Sequence, residues 1–195
     1  MDFLAFCRSN KFYVRLQQSY FEFLQKTRYT AKRESKWRNM MYEAKDEEAT
    51  KQFAFLLGQA AKAGDVVVLT GDLGAGKTTF SKGIAEGLGI TQMIKSPTYT
   101  IIREYTQGRL PFYHMDVYRI TTGYDDLGLD DYFEGDGLTV VEWGNQLGKW
   151  LPEDYLEVII KKDPNDVAKR IIALAPHGEK GSALSVKLMK AWSEN

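Results

Sequence analysis

The sequence predicts a three-layer α/β domain, with helices flanking a central mixed, largely parallel sheet. Three observations predict it. An apolar run of buried-strand type, "VVVLT" (Val66–Thr70), enters the glycine-rich loop "GDLGAGKT", and a helix leaves it. Strand and helix patterns alternate in the first half of the regular sequence. The second half turns strand-rich, which places antiparallel strands on the same sheet.

The elements follow in order. Asp46 begins "DEEATKQFAFLLGQAAKAG", where Ala49, Phe53, Leu56, Leu57 and Ala60 share one helical face. Acidic residues fill the first turn, where the helix dipole favours them, and Gly64 stops the helix. After the strand Val66–Thr70 and its loop, a helix is expected over Lys77–Leu88. Strands are expected at Tyr99–Tyr105 and Leu110–His114, joined by a hairpin turn at "TQG". Leu138–Val141 reads as another buried strand. Tyr155–Lys161 and Arg170–Ala175 read as two late strands around the turn "KDPND", and a last helix starts near Gly181.

Charge divides the chain. Residues 1–45 carry a net charge of +6 and the rest −6. The first segment is basic and aromatic, with Phe12, Leu16, Tyr20, Phe23 and Leu24 at roughly helical spacing. It reads as an N-terminal extension, helical or not native to the protein, with an RNA-binding arm as the alternative. Residues 46–195 read as the folded domain. Cys7 is the only cysteine, so an internal disulfide is excluded, in keeping with a cytoplasmic location. No apolar run reaches the roughly 20 residues of a membrane span, and no membrane association is expected.

The loop carries the chemistry. Gly71, Gly76, Lys77 and Thr78 satisfy G-x-x-x-x-G-K-[ST] in the strand–loop–helix context that the mechanism needs. Glycines let the backbone turn its N–H groups inward, the helix N-terminus adds positive potential, Lys77 reaches β- and γ-phosphates, and Thr78 offers a hydroxyl to magnesium. Such a loop calls for a carboxylate at a nearby strand end. Asp116, ending "LPFYHMD", and Glu142, ending "LTVVE", both qualify, and their order of importance is open. His114 shares a strand face with Asp116 and is expected to be a packed or hydrogen-bonding histidine rather than a general base. Ser96 and Thr98 of "SPTYT" sit where a nucleotide-sensing loop or a plain turn would lie. Asp125, Asp126, Asp130 and Asp131 read as solvated surface.

"GDLGAGKTTF", "SPTYTIIREY", "FYHMDVYRI" and "DYFEGDGLTVVEWGNQLGKWLP", in this order, resemble the TsaE family, also called YjeE. The resemblance runs from about Thr50 to about Pro176. It implies a P-loop ATPase, with ATP and Mg²⁺ as cofactors, that hydrolyses ATP slowly. It implies a partner pair of the TsaB–TsaD type, which places a threonylcarbamoyl group on N6 of the adenosine beside the anticodon of tRNA. The protein would meet tRNA only through that complex and would be a monomer in isolation. By motif, Gly74, Ala75, Gly76, Lys77, Thr78 and Thr79 wrap the phosphates, and Thr78 with Glu142 holds magnesium. Asp116 is the other acidic residue of the site, so Lys77, Asp116 and Glu142 are the catalytic candidates. Thr50 matches a threonine near the base, Trp143 packs beside the nucleotide, and Asn145 stands where many members carry an acidic or amide residue. Residues 1–40 have no counterpart in the resemblance.

Three rivals are weaker, among them a binding module whose nucleotide is only structural. A metabolite kinase would carry an arginine-rich lid, and residues 123–147 contain no arginine. A GTPase would carry N-K-x-D, which is missing although Asp125–Gly128 spells D-x-x-G.

Overall fold

The computed structural model describes residues 40–120 and 123–194. The expected helix around Phe12–Leu24 lies outside these residues. The described part folds around one seven-stranded sheet of order β1-β7-β6-β2-β5-β4-β3. Its strands are β1 (Met41–Ala44), β2 (Val66–Thr70), β3 (Ile102–Tyr105), β4 (Phe112–Asp116), β5 (Leu138–Glu142), β6 (Tyr155–Lys162) and β7 (Arg170–His177). The four central strands β6, β2, β5 and β4 are parallel. β2 and β5, at the middle of the sheet, are the apolar, nearly continuous runs that two-sided burial demands. The strands outside them, β3 at one edge and β7 and β1 at the other, pair antiparallel.

β1 is the unexpected strand. It lies upstream of the boundary drawn at Asp46 and pairs Met41–Ala44 with Arg170–Ala173 of β7. Two further strands start later than expected. Residues 99–101 do not join β3, because Thr100 N and Ile101 N both donate to Pro97 O and close a turn. Pro111 lacks an N–H for the ladder, and β4 starts after it and runs on to Asp116.

The helices are α1 (Glu47–Ala60), α2 (Lys77–Gly87), α3 (Leu129–Phe133) and α4 (Gly178–Ser193). Asp46 caps α1 by accepting from Ala49 N at 2.7 Å. Arg109 closes the other end, its Nη2 donating to the carbonyls of Gly58, Gln59 and Ala61.

Strand alternation sorts side chains into two cores. Val67, Leu69, Val140 and Val158 face α1, α2 and α4, meeting Phe53, Phe80, Ile84 and Leu188. Val66, Met115 and Val141 face the other way, meeting Leu129, Phe133 and Leu147. The three layers are therefore unequal: three long helices cover one face, and α3 with short 3-10 turns covers the other. Asp130 and Asp131 are exposed on α3, as expected, while Leu129 and Phe133 of the same short helix are buried.

α1 and α2 meet along a glycine seam. A Cβ added at Gly58 would stand 2.2 Å from Ile84 O, and one at Gly87 2.1 Å from Phe55 O. Backbone therefore touches backbone, and the helix behind the loop is fixed on the sheet.

Candidate functional site

The C-terminal ends of β2, β4 and β5 converge, the place where open parallel sheets form their crevices. Register puts Leu69 opposite Glu142 and Glu142 opposite Asp116. The loop Gly71–Gly76 leaves β2 at this edge and opens into α2. Gly71 passes so close to β6 that a Cβ would be 2.3 Å from Ile160 O. Gly76, at φ +109°, is the N-cap of α2 and supplies no side-chain cap, so the first amides of the helix are left for a ligand.

Lys77 is almost fully buried. Its Nζ donates to Gly71 O at 2.7 Å and Asp72 O at 3.0 Å, and lies 3.8 Å from the centroid of the Trp143 ring. Burial pushes its pKa below the ordinary lysine value of 10.5, while Glu142, Asp116 and Asp72 pull it back up. Trp143 holds that position with a left-handed backbone, φ 63°, uncommon for a bulky residue.

The two candidate carboxylates have different company. Glu142 Oε1 receives the Thr78 hydroxyl at 3.0 Å and stands 2.8 Å from His114 Nε2, with Ser81 Oγ at 3.5 Å. Asp116 Oδ2 receives the Thr98 hydroxyl at 2.7 Å, and its Oδ1 receives Tyr118 N at 3.0 Å. Ser96 Oγ lies 2.6 Å from Thr98 Oγ1. The "SPTYT" segment is thus a turn whose Thr98 hydroxyl reaches Asp116. His114 is fully buried and hydrogen-bonds Glu142, in line with the packing role expected from the sequence.

A cavity of about 470 Å³ lies over the loop. It is lined by Gly74, Ala75, Gly76, Lys77, Thr78 and Thr79 of the loop and helix, by Asp116, Glu142 and Trp143 of the strand ends, and by Thr50 of α1. Thr50 Oγ1 turns back to donate to Asp46 O at 3.0 Å. Asn145, named with these residues from the resemblance, does not line the cavity. The turn begun at Trp143 carries it into the 3-10 segment Gly144–Gln146, where it is exposed. Four lining residues were not anticipated: Glu47 and Leu73, and Ala168 and Arg170 of the β6–β7 hairpin. Leu73 is a variable position of the loop itself; Glu47, Ala168 and Arg170 carry no motif, and only the fold brings them to the loop.

Glycine cradle, uncapped helix start, buried lysine and strand-end carboxylates on a mixed sheet define an α/β protein of the P-loop type. Comparison with known proteins narrows the class. The family model described as "Threonylcarbamoyl adenosine biosynthesis protein TsaE" matches residues 44–172, and the chain belongs to this family. It is 53% identical over 131 residues to the tRNA threonylcarbamoyladenosine biosynthesis protein TsaE of Bacillus subtilis, covering 67% of this chain and 80% of that one. The protein of the same name from Nostoc is 43% identical over 59% of this chain and 74% of its own. A crystal structure of Bacillus subtilis YdiB superposes with a TM-score of 0.70 at 43% identity, covering 80% of this chain and 96% of that one. No helix among the described residues is long and apolar enough to cross a membrane.

Proposed function

We propose that the protein binds ATP with Mg²⁺ and hydrolyses it slowly, in support of a TsaB–TsaD-type pair that forms N6-threonylcarbamoyladenosine on tRNA. It is not itself the transferase, and it works in the cytoplasm as a protein that is monomeric when isolated. The observation that carries this reading is the convergence of Lys77, Thr78 and Glu142 on one glycine cradle, in a chain of the TsaE family.

The residues fit the cofactors. The amides at the start of α2 and the Lys77 ammonium meet phosphate charge. Among the described residues no group of three or more His, Cys, Asp or Glu side chains forms a metal cage. Thr78 and Glu142 would instead hold a magnesium ion that takes its other ligands from phosphate oxygens and water. Magnesium, when bound, neutralises charge on the β- and γ-phosphates. Asp116, tied to Thr98 and Tyr118, would orient water in the site. Trp143 walls the cavity beside Lys77 and excludes solvent there. Thr50 and Glu47 line the end at α1, where the base would lie.

The test is reconstitution. Lys77→Ala should abolish ATP hydrolysis and tRNA modification with a TsaB–TsaD pair while the fold is kept. Co-purification with that pair should depend on ATP. Unchanged modification by Lys77→Ala, clear preference for GTP, or rapid phosphate transfer to a metabolite would reject the proposal.

A further inference from the structure

The β6–β7 hairpin reaches the phosphate loop with two cations. Lys162 Nζ donates to Leu73 O at 3.2 Å, and Arg170 Nε donates to Ala75 O at 2.8 Å. Arg170 is itself held from behind: its Nη1 donates to Val167 O and to Lys169 O, each at 2.7 Å. The turn that carries it is stitched by Asp163, whose Oδ1 accepts from Asn165 N at 2.7 Å and Asp166 N at 3.1 Å. The hairpin is a built scaffold and not a loose arm resting on the loop.

These contacts determine where amides point. A trans peptide is planar, so its carbonyl and the following N–H point in opposite directions. Anchoring Leu73 O and Ala75 O to the hairpin turns the N–H groups of Gly74 and Gly76 away from it. Glycine at both positions, with φ of +73° and +109°, leaves each peptide plane free to rotate without such an anchor. Lys77 holds two further loop carbonyls, Gly71 O and Asp72 O. A lysine recruited to phosphate charge must release them. Lys162 and Arg170 act from outside the loop and keep their carbonyls while that happens.

We propose that Arg170, assisted by Lys162, is a positioning residue for the phosphate loop. It sets the amides of Gly74 and Gly76 for a diphosphate and keeps the nest open when Lys77 moves. The inference rests on the reading that a nucleotide diphosphate occupies the loop.

The experiment compares full-length wild type, Arg170→Met, Arg170→Lys and Lys162→Met. Calorimetry measures binding of pyrophosphate, ADP and AMP. Hydrogen exchange followed by mass spectrometry measures residues 71–79 without ligand. Arg170→Met should weaken pyrophosphate and ADP by roughly tenfold or more, the scale of one lost charge-assisted hydrogen bond. AMP binding should change less than twofold, and exchange across 71–79 should quicken. Lys162→Met should act in the same direction but less. Arg170→Lys should recover part of the loss. Pyrophosphate affinity within twofold of wild type, with unchanged exchange, overturns the proposal. An equal loss for AMP and ADP also overturns it, because Arg170 would then be a contact to the nucleoside side. If wild type binds neither pyrophosphate nor ADP, the functional reading fails, and exchange across 71–79 still decides the clamp: faster exchange in Arg170→Met supports it, unchanged exchange rejects it. Should Arg170→Met not fold, Arg170→Lys and Lys162→Met decide by the same readouts.

Discussion

His114→Phe isolates the internal support of Glu142. His114 is fully buried, its Nε2 lies 2.8 Å from Glu142 Oε1, and its ring stacks on Phe112 with centroids 5.7 Å apart. A carboxylate only accepts, so Nε2 carries the proton of this hydrogen bond. Among the described residues Nδ1 has no hydrogen-bond partner, so the Glu142 contact is what satisfies the ring. Phenylalanine fills nearly the same space and keeps the stack on Phe112, but it leaves Glu142 with the Thr78 and Ser81 hydroxyls alone. A hydrogen bond to a charged group contributes about 1.5–3 kcal/mol, and burial prevents water from replacing it. Relief of the unpaired Nδ1 offsets part of this, so the expected loss is about 2 kcal/mol. For a chain of this size that lowers Tm by ~4–8 °C. Urea and thermal unfolding would measure it, with His114→Gln, which retains a donor, falling between. A double-mutant cycle with Glu142→Gln should give a coupling of about 1 kcal/mol or more. An unchanged Tm, or additive losses in the cycle, would show that His114 does not support Glu142.

Other outcomes follow from the same structure. Since burial lowers the Lys77 pKa below 10.5 and phosphate favours its charged form, pyrophosphate affinity should fall as pH rises through that lowered pKa. Lys77→Arg should hold its residual affinity flat over the same window, and calorimetry at stepped pH would expose a wild-type profile that is flat instead. Gly87→Ala would put a methyl 2.1 Å from Phe55 O and should cost about 3 kcal/mol or more in urea unfolding, whereas an effect under about 0.5 kcal/mol would contradict the packing. Arg109→Ala removes donors to three carbonyls at the end of α1 and should lose about 1–2 kcal/mol. Hydrogen exchange should quicken at residues 58–61 in that variant, and unchanged protection there would discount the cap.

Legibility in the sequence tracked how local each cause is. Val66–Thr70 was readable because its burial is written in its own residues, and the expected and observed strand coincide. The loop and the strand-end acids were readable because motif and register act over a few positions. β1 was not, since "MYEA" has no strand pattern of its own and is held by its partner β7, more than a hundred residues downstream. The shortened β3 followed from a turn at Pro97 that outcompeted the strand tendency of Tyr99–Ile101. α4 starts at Gly178, ahead of the expected Gly181, and Lys180 N bonds Asp154 there. Arg170 was invisible as a site residue because an arginine opening a late strand says nothing about which distant carbonyl it will meet. Asn145 was selected by the resemblance, and the left-handed backbone at Trp143 carries it into the 3-10 turn beyond the strand end.

The glycine contacts between α1 and α2 have a mechanical consequence. Side chains at a helix interface act as compressible spacers and let one helix ride over another by changing rotamers. Bare backbone has no such give, so α2 is keyed to α1 like a tongue in a groove. Whatever the loop holds, α2 cannot slide along its neighbour to report it. The loop's other neighbours are the β6–β7 hairpin, through Leu73 O and Ala75 O, and the strand-end segments, where Thr98, Tyr118 and Trp143 touch the acidic and basic groups of the site.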